Sequence, residues 1–148
     1  MLDISIPDMT ALINFLERRT MVLYAGSMAE ALNSTGTDGD NEKALSLLEG
    51  AEGADDSAKA REVQRILTAV TCKDGDFANV LKDHHDRLWI KAGMIVEKYG
   101  PNIVEISKIC REILGGLSEV EISKEQIEKI PSWAEIERGI EQAVLTER

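Results

Sequence analysis

The sequence predicts an all-α fold, a single-domain bundle of six or seven helices with at most one minor strand. Three observations lead there. Apolar residues recur at steps of three and four through most of the chain, the period of one helix face. Aromatic residues are only 4% of a chain that is 43% hydrophobic, so Leu, Ile, Val, Ala and Met must fill the core, a composition that favours helices over sheets. Cap patterns led by Ser or Asp, and stops made by Gly or Gly-Pro, punctuate the periodic runs at helix-length intervals. A chain of 148 residues suits one domain that buries roughly 68–70% of its unfolded surface.

The first helix is expected to open near Ser5-Ile6-Pro7-Asp8, where Ser5 can cap and proline is tolerated in a first turn. Met9, Leu12, Ile13 and Leu16 follow at helical spacing, and Met21 to Ala25 is apolar on every side, the mark of a segment buried all round within the fold or against another chain. The helix should end near Leu32. Residues 33–41 hold turn formers and no apolar side chain, and with the glycines that follow they predict an acidic flexible loop region near 33–56. Within it a short helix from about Glu42 to Leu48 can be capped by Asp40 or Asn41.

A further helix starting near Asp55 carries Val63, Ile66, Leu67 and Val70 as its predicted buried face. After Asp74-Gly75-Asp76, the clearest helix runs to Tyr99 with the stripe Phe77, Leu81, His84, Leu88, Ala92, Ile95 and Tyr99, and Gly100-Pro101 stops it. The next, about Asn102 to Leu114, turns Ile103, Ile106, Cys110, Ile113 and Leu114 inward. Val120 and Ile122 alternate with Glu119 and Glu121 in the one plausible strand, which alone cannot make a sheet. The capping-box patterns Ser123-x-x-Gln126 and Ser132-x-x-Glu135 each predict the opening of a short helix.

The net charge of −10 is unevenly spread. Residues 30–56 hold eight acids against one base, Lys43, whereas residues 57–116 hold ten bases against eight acids. The body is therefore mildly basic behind an acidic loop, which keeps nucleic acid among the conceivable partners. No basic-then-apolar leader opens the chain, so a cytoplasmic location is expected, and no apolar run approaches the roughly 20 residues that span a bilayer. Cys72 and Cys110 lie in no CxxC pair and are expected to be reduced.

Candidate sites are few. Lys82-Asp83-His84-His85-Asp86 holds both histidines, and His85-Asp86 resembles the central pair of HD-type phosphohydrolases, with Asp83, His85 and Asp86 as a metal-dependent hydrolase set. Those enzymes need another histidine well upstream, which this chain lacks, and the plainer reading is one partly buried histidine beside a solvated face. A window from Asp38 to Glu49 places acids or polar groups as an EF-hand loop does, but Lys43 stands where the sharp turn needs glycine, so it reads as an acidic loop capping a helix. Phosphate-cradling glycine loops and nucleophile-elbow or zinc-protease motifs are absent. No catalytic residue, metal or cofactor is expected, and the chain is read as a non-enzyme.

Two surfaces remain. Arg87, Lys91 and Lys98 fall within about 40° of one another on the helix ending at Tyr99, a stripe that Lys108 and Arg111 could extend and that suits phosphates. Met21, Val22, Tyr24 and Trp89 are the candidates for partner contact. The segment Val22-Leu23-Tyr24-Ala25-Gly26-Ser27-Met28-Ala29-Glu30-Ala31-Leu32 resembles the first helix of the small subunits of archaeal CRISPR interference complexes. That resemblance implies a small, mostly helical, non-enzymatic protein packed along a guide-RNA complex. The expectation is thus a helical subunit with protein partners, nucleic acid at the basic stripe, no membrane contact, and self-association left open. The competing expectation is an acidic inhibitor or decoy that presents residues 30–56 to a basic surface.

Overall fold

The computed structural model describes residues 9–117 and 121–146. It is all-α, with helices α1 (Met9–Glu30), α2 (Asn41–Glu49), α3 (Ala54–Thr71), α4 (Phe77–Lys98), α5 (Gly100–Leu114), α6 (Lys124–Glu128) and α7 (Pro131–Thr146). The expected helix start at Ser5–Asp8 lies outside the described residues, as does Val120, and Ile122 is not in a strand. The only β feature among the described residues is an isolated bridge between Leu32 and Gly39.

Helix α1 is the hub: it packs against α2, α3 and α4, and α3 pairs with α4. Leu16, Leu23, Tyr24 and Met28 from α1 meet Ala44 and Leu48 of α2, Ala60 and Leu67 of α3, and Leu88, Ala92 and Val96 of α4 in one core. Full burial of a leucine is worth roughly 1.5–3 kcal/mol, so Leu67 and Leu88, both wholly enclosed, are among its main contributors. Thr20 and Thr68 are also enclosed, and each returns its hydroxyl proton to a carbonyl one turn back, Leu16 and Gln64 respectively.

Several faces are rotated from the sequence expectation. On α3 the buried line is Ala60, Gln64, Leu67 and Thr68, while Ile66 is exposed and Val63 and Val70 are half-buried. On α4, Val96 rather than Ile95 is enclosed, and Phe77 is exposed. The segment Met21–Ala25 is not covered all round, because Val22 opens to solvent. On α5, Ile103, Ile106, Cys110 and Leu114 reach only partial burial and Ile113 is exposed.

The region expected to be a loose acidic loop is tied down. Asn33 Oδ1 accepts from the Thr37 amide and the Thr35 hydroxyl, and the backbone pairs Asn33 N with Asp38 O and Asp40 N with Ala31 O. Asp40 caps α2 by accepting from Lys43 N at 2.9 Å, so helix already occupies most of the window that resembled a calcium loop. At the loop's tip, Gly36 has φ +73°, the left-handed region that favours glycine, and its carbonyl lies where a Cβ on Gly100 would be. This backbone-to-backbone contact fixes the start of α5 against the loop.

The chain passes from α4 into α5 at Tyr99 with Pro101 in the first turn, so Gly100-Pro101 redirects the helix instead of leaving a gap. Helix α7 packs on α5 and α6, and Tyr99 lies over Gly139, where no Cβ would fit. The Ser123–Gln126 capping box forms and opens α6. The second expected box does not form: α7 begins at Pro131, and Ser132, buried inside it, donates to Glu105 of α5.

Candidate functional site

The residues read as partner contacts divide on burial. Tyr24 is 1% exposed at the centre of the core. Its hydroxyl accepts from Gln64 Nε2 and lies 2.6 Å from His85 Nδ1. Gln64 Nε2 can only donate, so the buried phenol proton has His85 Nδ1 as its acceptor, which leaves the ring proton of His85 on Nε2. Burial, only partly opposed by the Gln64 hydrogen bond, pushes the Tyr24 phenol up to about 12, and it stays protonated. Trp89 packs edge-on to Tyr24 with ring centroids 5.1 Å apart, and its indole donates to Asn41 Oδ1 at 2.7 Å. The two aromatics therefore join α1, α2, α3 and α4; Tyr24 is enclosed and offers no surface to a partner, whereas Trp89 is half-buried. Met21 is half-buried against the same core. Val22 alone of the four is open, with Phe15 two turns before it on the same side of α1.

The hydrolase set does not converge. His85 turns inward to Tyr24, and Asp86 turns to Lys82 at 2.6 Å, whose ammonium holds its carboxyl below the usual range. Asp83 stays exposed. Among the described residues no group of three or more His, Cys, Asp or Glu could hold a metal ion. Cys72 and Cys110 are free thiols, each half-buried.

The basic residues form two separate features. On α4, Arg87, Lys91 and Lys98 are exposed and share an arc of about 100° with Ile90 and Met94. Ile90 and Met94 are 63% and 66% exposed, and Ile95 continues the arc beside Lys91. The charges are not equivalent. Arg87 pairs with Glu17 of α1 and donates to His84 Nδ1 at 3.1 Å, whereas Lys98 lies 5.2 Å over the Tyr99 ring. Lys91 makes no ion pair with a described residue. With Nδ1 accepting from Arg87, His84 carries its proton on Nε2 and gives it to Thr71 Oγ1 at 2.9 Å. Burial first, and the Arg87 charge second, lower the pKa of His84.

Lys108 and Arg111 do not extend this stripe. They line a cleft of about 550 Å³ between α5 and the end of α1, with Ala29, Glu30, Leu32, Asn33, Ser34, Ile103, Val104 and Ser107, and no residue of α4 contributes to it. The sequence reading missed this cleft because it depends on where α5 sits. It also missed Ile90 and Met94, although two large apolar residues four apart and out of phase with the buried stripe could have revealed them.

Comparison with known proteins finds no family model, no curated protein and no solved structure that matches this chain.

Proposed function

We propose that the protein is a non-catalytic helical subunit that packs into a larger protein or ribonucleoprotein assembly through the outer face of α4. The carrying observation is the arc of Ile90, Met94 and Ile95, exposed together and interleaved with Arg87, Lys91 and Lys98. Singly scattered exposed aliphatics need no explanation, but three large ones grouped on one helix face among cations fit a protein contact. The cations beside it suit an acidic protein surface or nucleic-acid phosphates. Val22 and Phe15 on α1 offer a second apolar contact. A small subunit of a CRISPR effector complex is the specific assembly that the Val22–Leu32 resemblance suggests. A cytoplasmic location goes with this reading, and no described helix is long and apolar enough to cross a membrane.

The test is the mass and the A260/A280 ratio of the protein purified from its native host at low and high salt, beside an Ile90→Asp/Met94→Asp variant. The expected result is a complex heavier than the monomer, disrupted in the variant, with any nucleic acid released by salt. A monomer that binds no partner, RNA or DNA even at low salt overturns the proposal, and so does an assembly indifferent to the double variant.

A further inference from the structure

The cleft between α5 and the end of α1 has a division of character along its length. Ile103 and Val104 lie one turn before Ser107 and Lys108, and Arg111 follows, so one α5 wall changes from aliphatic to cationic over about two turns. The facing wall supplies Ala29 and Leu32, the Ser34 hydroxyl and the Glu30 carboxylate. Lys108, Arg111 and Glu30 form no ion pair with a described residue, and the two cations do not meet Glu30 across the gap. Asn33 spends its side chain on the loop, which holds that wall in shape.

We infer that this cleft binds a short extended acidic peptide of a partner protein, one aliphatic residue followed by two carboxylates at alternate positions. Side chains on one face of an extended peptide repeat about every 6.6–6.8 Å. The matching steps along α5 are about 6 Å from Val104 to Lys108 and about 4.5 Å from Lys108 to Arg111, and two long side chains take up the difference. At about 550 Å³ the cleft has room for a few residues of peptide.

Three features favour a peptide over a nucleic-acid strand. The cleft is lined by no aromatic side chain on which a base could stack. Glu30 can accept a peptide N–H, a donor that phosphates do not offer. Two cations on a chain of net charge −10 hold a polyanion poorly, whereas a peptide adds its own apolar contact. The inference rests on the protein's role as a subunit that packs against other proteins, and it names the chemistry of one such partner.

The experiment is fluorescence anisotropy of the full chain with a labelled heptapeptide carrying isoleucine and then two glutamates at alternate positions. Binding is expected to saturate, and to weaken at least tenfold with Lys108→Glu/Arg111→Glu, with Val104→Asp, and with a peptide whose glutamates are glutamines. Glu30→Gln should not weaken it. Lys108 and Arg111 are exposed, so a helical circular dichroism spectrum should confirm that the charge-reversal variant remains folded. No saturable binding up to about 1 mM peptide overturns the inference. So does unchanged affinity in the charge-reversal variant, or tighter, equally charge-dependent binding of a single-stranded oligonucleotide. The Ile90→Asp/Met94→Asp variant should bind the peptide normally, so failure at α4 and failure at the cleft are read separately.

Discussion

Between Met9 and Lys98, four helices close around one core. Between Gly100 and Gln142, only Gly100, Ile130 and Ser132 are buried among the described residues. Apolar residues line one face of α5 as regularly as they do α4, so the difference is not one of pattern. It is one of neighbours. Helix α1 packs against α2, α3 and α4, whereas α5 packs mainly on α7, which it meets at Asn102–Glu135 and Glu105–Ser132, and touches α4 less. An apolar stripe shows that a helix has a face to cover, and the number of helices that reach it decides how far it is covered. The same deficit leaves Ile113, Leu117 and Ile140 exposed and lets α5 stand away from α1 far enough to form the cleft.

The comparison is broken most directly in the core. Leu88→Ala should cost about 2–5 kcal/mol in urea unfolding, because the side chain is fully enclosed and its neighbours cannot collapse onto the gap. Ile140→Ala, in the second region, should stay within about 0.5 kcal/mol. Equal losses at the two positions would show that the regions are equally closed.

Tyr24→Phe comes next. It leaves Gln64 Nε2 without its acceptor and His85 Nδ1 without its donor, and should cost about 1–3 kcal/mol by thermal unfolding. Gly100→Ala tests the hinge between the two regions. A Cβ there would meet the Gly36 carbonyl, and overpacking of this kind costs about 1–3 kcal/mol. The distinctive outcome is that peptide binding at the cleft falls while the α1–α4 core stays folded.

The smallest effect concerns pH. His84 is held below its ordinary value, so the unfolded chain binds the proton more readily than the native one. The resulting stabilisation is complete above the ordinary histidine pKa of about 6.5 and is lost as pH falls through the lower native value. Protonating Nδ1 would also break the hydrogen bond from Arg87, which joins α4 to Glu17 of α1. The urea midpoint should therefore fall between about pH 7 and pH 5.5, and His84→Asn should flatten that part of the profile.

By itself the sequence determined the all-α class, most helix boundaries, the Ser123 cap and the split between an acidic segment and a basic body, and it narrowed the α2 cap to Asp40 or Asn41. These follow from local rules: period, cap chemistry and charge order are properties of neighbours along the chain. It did not determine which of two adjacent apolar residues faces inward. Val96 displaced Ile95, Gln64 and Thr68 displaced Ile66, and Tyr24, a candidate for partner contact, formed an internal hydrogen bond with His85. A single residue turns a helix face by about 100°, and only the directions from which α1, α2 and α3 approach could settle the rotation. The candidate surfaces follow the same division. Arg87, Lys91 and Lys98 were legible as a stripe because they share one helix. The separation of Lys108 and Arg111 into their own cleft depends on where α5 sits, and the start of α5 lies against Gly36, 64 positions away in the sequence.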